Sequence, residues 1–362
     1  MKNIKRIIFA LLLIPLAFLL YVIIVVSHGT LNDYVGPPSV EVPNEAPDTQ
    51  EVFTDSTLSL MIWNIGYTGL GEEVAFFYDQ GKFFHSGDAP VTIDKDQVEK
   101  NKAGMLSTLE QNPVDIYFLQ EVDKNSKRSY YDNTFQSVSE LLEGYSAHFG
   151  LNYAVKRVPI PIMEPFNVYG KVESGIATYS RYQTRDAERL QLPGTFSWPD
   201  RIFQLDRCLL VQRMDYKDKE IVLINLHNSA YDKGGLIKAQ QMAFLKDYIL
   251  EEYTMGNYVV VGGDWNQCPP DFVYDSLYEG DHEFFQANIK EDFMDASWTW
   301  AYDGTVSTNR KNYQAYVDGE NFETLIDFYL LSPNIEVERV KGIDLSFRYS
   351  DHQPVVLDLR FL

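Results

Sequence analysis

The sequence predicts a mixed α/β (α+β) fold in which two packed sheets are covered by outer helices. Three observations carry this. Strand-like segments dominate, many of them are hydrophobic on both faces, and the helical segments are few and well separated. In chain order, Leu58 to Asn64 reads as a buried strand, and Lys95 to Gln111 has helical spacing that Pro113 stops. Val114 to Gln120 is an apolar strand ending in Glu121, and Gly175 to Ser180 is a third. Ile202 to Tyr216 and Ile221 to Asn228 form a hairpin around Lys217-Asp218-Lys219. Leu236 to Tyr253 is an amphipathic helix stopped by Gly256-Asn257, and Tyr258 to Val261 runs into Gly262-Gly263-Asp264. Thr324 to Leu331 and Pro354 to Phe361 are the closing strands. One domain over residues 57–362 accounts for all of them.

Residues 1–28 read differently. Ile7 to Val26 carry no charge, follow Lys2, Lys5 and Arg6, and are long enough at helical rise to match a hydrocarbon layer of about 30 Å. No basic residue follows soon, which predicts the N-terminus inside the cell and the remainder outside. The alternative, a cleaved signal peptide, has a shorter apolar region and a small-residue cleavage site, which Val25-Val26-Ser27-His28-Gly29 matches poorly. Residues 29–56 turn polar, acidic and proline-containing (Pro37, Pro38, Pro43, Pro47), as expected of an extended linker lifting a domain off a membrane.

The 362 residues carry 52 acidic against 31 basic side chains, a formal charge of −21, with hydrophobic residues at 45%. That composition supports a substantial core and excludes extended disorder. A negative surface repels polyanions, so a small phosphoester or lipid headgroup is favoured over long nucleic acid. Cys208 and Cys268 are expected as two reduced thiols rather than a bridge, Cys208 lying in a buried strand and Cys268 in the loop after Gly262-Gly263-Asp264.

Polar residues at strand ends carry the chemistry. Asn64, Glu121, His227, Asp264, Asn266, Asp327, Asp351 and His352 each sit in or at the edge of an apolar segment. A carboxylate there costs desolvation unless it is paired or binds a cation. Singly, each has an ordinary explanation as a turn former, cap or core histidine. Brought to one rim, they make a site of hard oxygen ligands and imidazoles, suited to Mg²⁺ or Mn²⁺ rather than structural zinc.

In order the chain reads Ile62-Trp63-Asn64, Leu119-Gln120-Glu121-Val122-Asp123, Ser174-Gly175-Ile176-Ala177-Thr178-Tyr179-Ser180-Arg181, Asn225-Leu226-His227-Asn228, Gly263-Asp264-Trp265-Asn266, Ile326-Asp327-Phe328-Tyr329 and Ser350-Asp351-His352-Gln353-Pro354. This resembles the endonuclease/exonuclease/phosphatase superfamily, the deoxyribonuclease-I-like fold, over essentially all of residues 58–362. The resemblance implies a four-layer αββα sandwich of two mainly antiparallel sheets and a metal-dependent phosphoesterase. It implies Glu121 as principal metal ligand with Asn64 and Asp351 beside it. Asp264 would orient or deprotonate the attacking water, with Asn266 holding that water and a phosphate oxygen. His227 would donate to non-bridging phosphoryl oxygens, and His352 would serve acid–base chemistry with its tautomer fixed by Asp327. Glu173 is the candidate for a second histidine-supporting acid, and Arg128 and Lys233 are candidates for holding a phosphate. Family members cleave DNA, sphingomyelin and inositol phosphates, so the fold does not choose the substrate. A DNA nuclease and a catalytically silent membrane-attached binding module are the competing readings; none of the seven motifs is broken, as silence would require. A monomer is the expected state. The aromatic run Ala75 to His85 follows Asn64 closely enough for its loop to border the site.

Overall fold

The computed structural model describes residues 2–46, 51–230, 232, 234–270, 272 and 287–362. The chain runs α1 (Lys2–Leu31), β1 (Ser39–Glu41), β2 (Thr57–Asn64), α2 (Lys95–Gln111), β3 (Ile116–Asp123), α3 (Thr134–Leu141), β4 (Ser146–Val158), β5 (Gly170–Ser180), β6 (Asp186–Gln191), β7 (Cys208–Tyr216) and β8 (Lys219–His227). It continues α4 (Leu236–Thr254), β9 (Tyr258–Asp264), β10 (Thr299–Ala301), β11 (Asn309–Arg310), β12 (Glu323–Thr324), β13 (Asp327–Leu331), β14 (Ile335–Gly342) and β15 (Val355–Phe361).

One sheet has the order β1-β6-β7-β8-β9-β13-β10 and the other β14-β15-β2-β3-β5-β4, with a small β11-β12 pair beside them. All pairs within the two large sheets are antiparallel except β2/β3 and β8/β9. Each parallel pair is joined by a helix, α2 in one case and α4 in the other, because a strand can return parallel only through a crossover. That connection brings the C-terminal ends of both strands to the same edge.

The alternation of side chains explains the four layers. Leu60 and Ile62 of β2 face Leu223, Val260 and Tyr329 across the inter-sheet core. Met61 and Trp63 point the other way, onto Met105 and Leu109 of α2 and Phe135 of α3. On the far side, Val222, Ile224, Val259 and Val261 pack against Leu245 and Ile249 of α4. Strands apolar on both faces are therefore the signature of this sandwich. Cys208 and Cys268 are both buried and unbridged.

Two expectations need revising. The hairpin's first strand begins at Cys208, not Ile202, because Asp200–Phe203 forms a short 3-10 turn. Residues 29–56 are not a free tether: β1 pairs with β6, and Val42 and Phe53 are buried in the domain. Val42 is removed from water among Ile176, Ala187 and Leu210, which holds the segment down. The helical run at the N-terminus extends to Leu31 and contains a candidate membrane span, Leu12–Leu31.

The close approach of β9 to β8 at the site depends on Gly263. Its φ is 140°, and a Cβ there would lie 2.1 Å from the Leu226 carbonyl oxygen. Gly263→Ala should cost at least about 3 kcal/mol, combining backbone strain with displacement of β8. Urea denaturation checks this; an Ala variant with the parent midpoint would mean that β8 and β9 are not locked in this register.

Candidate active site

The two parallel pairs deliver the site. In one sheet, Asn64 at the end of β2 lies beside Gln120 of β3. In the other, His227, Asp264 and Asp327 form one row across β8, β9 and β13. Glu121 follows Gln120 within a register irregularity between Leu119 and Val122, and it takes a left-handed φ of 55°. A bulge re-aims a side chain, here from the ladder toward the rim. Asn266, just past β9, is also left-handed, at φ 51°. Strained backbone of this kind persists where surrounding structure over-determines it, and two such residues at one rim mark a functional site.

Hydrogen bonds tie the rim together. The Asn64 amide nitrogen lies 3.0 Å from Asp264 Oδ2 and 3.4 Å from Glu121 Oε1, while its oxygen accepts from the Gly66 N–H. Asn64 thus stands where expected, but its amide faces the carboxylates as a donor. Asp264 Oδ1 accepts from the Asn266 N–H, and Asp264 Oδ2 lies 3.3 Å from His227 Nε2 and 3.8 Å from His352 Nε2. His352 Nδ1 is 2.8 Å from Asp327 Oδ2. Asn309, which the sequence reading missed, lies 3.0 Å from His352 Nε2, and Asn312 donates to Asp351 Oδ2 at 2.6 Å. Both belong to the polar Asn309-Arg310-Lys311-Asn312 run, whose only sequence signal was its composition.

The two histidines differ in charge. Burial, then the Arg207 guanidinium, hold His227 well below the ordinary imidazole range, so it is neutral near pH 7. Its Nδ1 has no hydrogen-bond partner among the described residues. For His352 burial also opposes the charge, but Asp327, Asp264 and Asp351 outweigh it and push the imidazole up to about 10. Burial likewise raises Asp327, whereas Asp264 is lowered: the imidazoles, the Asn266 N–H and the Asn64 amide overcome its desolvation. His352, held charged by the surrounding carboxylates, is thus a cation beside Asp264.

Glu121 and Asp351 are the pair best suited to a divalent cation. Burial raises both; Asp351 pushes Glu121 up further while Arg128, His352 and Arg207 oppose the shift, and for Asp351 the opposing groups are His352, Arg310 and the Asn312 amide. Two carboxylates drawn from water, Asp351 buried and Glu121 half-buried, with no ion pair of their own among the described residues, are expensive unless a cation joins them. Asp264, Asp327 and His352 also place ligand atoms within 4.8 Å of one another. That trio is already satisfied by the Asp327–His352 contact, so the harder Glu121/Asp351 seat fits Mg²⁺ or Mn²⁺ better.

The remaining candidates separate. Arg128 is buried and fully engaged: it bonds Asp123 at 2.8 and 3.1 Å, Tyr169 Oη at 2.9 Å and Ser174 Oγ at 3.1 Å, with its guanidinium 3.8 Å from the Tyr67 ring centre. It lines the cavity but braces its wall. Glu173 is turned to Lys171 at 3.0 Å and does not support His227; β5 alternates, so Ser174 faces the site and Glu173 faces away. Lys233 lies outside the described residues. Besides Arg310 and Lys311, two cations on other segments line the cavity, Arg207 and Lys238, the latter 3.3 Å from the Asn266 carbonyl. Neither was legible, because each is remote in sequence from the acid motifs. The cavity itself, about 620 Å³, joins this polar rim to an aromatic limb that includes Phe76, Tyr78, Phe83 and Tyr169.

A two-sheet sandwich with a carboxylate, amide and imidazole rim defines a recognisable class of protein. The model of the Endonuclease/Exonuclease/phosphatase family matches residues 61–352, and the chain belongs to that family. In structure it is similar to an endonuclease/exonuclease/phosphatase from Beutenbergia cavernae DSM 12333 (18% identity, TM-score 0.53, covering 85% of this chain and 72% of that one). It is similar to a Bacteroides vulgatus endonuclease/exonuclease/phosphatase (16%, TM-score 0.53, 85% and 100%). The catalytic domain of human Nocturnin with bound sulfate anion is comparable (19%, TM-score 0.51, 90% and 100%). No curated protein matches the chain in sequence.

The bracing role of Arg128 is testable. Arg128→Met should lower stability by about 3–5 kcal/mol, because it strands the buried Asp123 carboxylate. A drop in kcat/KM with an unchanged urea midpoint would instead make Arg128 a substrate contact.

Proposed function

We propose that the chain is a divalent-metal-dependent phosphoric ester hydrolase, anchored to a membrane through α1 with its catalytic domain on the extracytoplasmic side. It acts on a small phosphoester or lipid headgroup rather than long nucleic acid. The observation that carries the reading is convergence: residues from two sheets, distant in sequence, meet within hydrogen-bond reach at one rim that opens into a cavity.

A bound Mg²⁺ or Mn²⁺, held by Glu121 and Asp351, would neutralise phosphate charge and stabilise the leaving oxygen. Asp264, kept ionised by its neighbours, orients a water for in-line attack on phosphorus. Asn266 is fixed by its bonds to Asp264 and to the Asn228 carbonyl, ready to hold that water. Neutral His227 donates from Nε2 to a non-bridging oxygen. The His352 imidazolium, oriented by Asp327, stabilises the negative charge that grows in the transition state. No covalent intermediate is needed. The formal charge of −21 and the apolar α1 support the choice of substrate class and the membrane location.

Hydrolysis of bis(p-nitrophenyl) phosphate should be abolished by EDTA and restored by Mg²⁺ or Mn²⁺. Asp264→Ala should lower kcat by about 10³-fold or more with a smaller change in KM. Parent-level turnover by that variant, or activity indifferent to chelation, would overturn the reading.

A further inference from the structure

The last turns of α1 do not stand clear of the domain. Tyr21, Val22, Val25 and Val26 form part of the wall of the catalytic cavity. Gly29 lets the helix approach closely, since a Cβ there would lie 2.9 Å from Ile202. The Trp198 indole N–H donates to Thr30 Oγ1 at 3.1 Å, and Arg201 meets Asp33 at 3.4 Å. The segment that is apolar enough to cross a bilayer therefore ends against the mouth of the catalytic cavity.

The surface around that contact has the composition of a membrane interface. On the other side of Tyr21 and Val25 lies a second cavity, bordered by Met163 and Phe166 and by Lys127, Lys156, Arg157 and Lys171. Phe166 is 100% exposed and Met163 57%, with Phe84 at 68% beside Met163 and Trp198 at 58% against Thr30 at the end of α1. Met163 and Phe84 are joined through their backbones at 2.9 Å. Large exposed apolar side chains grouped in this way mark a docking surface. In a chain with formal charge −21, four cations around them are a local inversion of sign. One of them, Lys171, also meets Glu173. Aromatic side chains at the end of an apolar helix, with basic residues beside them, match the headgroup layer of an anionic leaflet.

We propose that this face of the catalytic domain docks on an anionic lipid bilayer, and that the substrate is an amphipathic phosphoester carried in that bilayer. Its phosphate would reach the rim at His227 and Asp264 while its apolar part occupies the limb lined by Phe76, Tyr78, Phe83 and the α1 valines. The cavity supports such a ligand by its division into a charged end and an aromatic end. The substrate half of this inference rests on the phosphoesterase reading; the docking half does not.

The full chain, reconstituted into nanodiscs of phosphatidylcholine mixed with phosphatidylglycerol, tests both. Because Cys208 and Cys268 are buried, an environment-sensitive label can be placed singly through Phe166→Cys or, at the opposite end of the sheets, Met255→Cys. The label at 166 should be quenched by spin-labelled lipid and shielded from iodide, with the label at 255 behaving oppositely. Equal iodide access at the two positions overturns docking whatever the activity. Met163→Ser combined with Phe166→Ser should lower hydrolysis of phosphatidylglycerol or added sphingomyelin in the disc by about tenfold, leaving bis(p-nitrophenyl) phosphate turnover unchanged. A wild-type chain that turns over the soluble diester but neither lipid overturns the substrate class. A wild-type chain inactive on all three counts against the phosphoesterase reading, and the labels alone then decide docking.

Discussion

The withdrawal of several carboxylates from water at a single rim is the constraint around which the molecule is organised. Asp264 and Asp327 are buried neighbours on adjacent strands, and Glu121 and Asp351 face them from the other sheet. No packed core tolerates that without compensation. Part of it is internal, in the His352 imidazolium and the Asn64 and Asn312 amides. The part that is not internal, at Glu121 and Asp351, is what a divalent cation would complete. Stability and chemistry are thus two aspects of one arrangement: removing charge from the rim would relax the fold and disable the site together.

The same constraint explains the backbone. Two βαβ crossovers, through α2 and α4, put the ends of β2, β3, β8 and β9 on one edge, and the sandwich then stacks the two edges. Ladder geometry alone would aim alternate residues up and down the sheet. Left-handed Glu121 and Asn266, together with the positive φ of Gly263, depart from it where side chains line the cavity. Arg128, although drawn to the rim by sequence proximity to Glu121, braces the tyrosines that shape its wall.

What was legible in the sequence follows from burial. β2, β3, β8 and β9 are apolar on both faces, so their existence and their polar ends could be read directly, and most of the site residues came with them. β4 was missed because its thirteen residues include His148, Asn152 and Lys156, and β14 because its burial pattern is largely exposed. Edge strands carry charge and lose the apolar signal. Arg207 and Lys238 were invisible for a different reason. A cation that serves a site through space leaves no mark in local spacing, whereas a carboxylate at the end of an apolar strand does.

The proline-containing stretch after α1 shows the limit of composition most clearly. Polar, acidic and rich in turn formers, it has the character of a spacer. Yet β1 completes an edge of one sheet, and Val42 and Phe53 enter the interior. A few apolar side chains at the right positions outweigh the surrounding polarity, because each buried one stabilises the docked state by about 1.5–3 kcal/mol relative to exposure. With the stretch docked, α1 and the catalytic domain are held side by side rather than strung apart. The geometry of the N-terminal segment then becomes part of the site's environment: the distance between an apolar helix and the cavity at the rim is set by short-range packing at Gly29 and Trp198, not by the reach of a flexible chain.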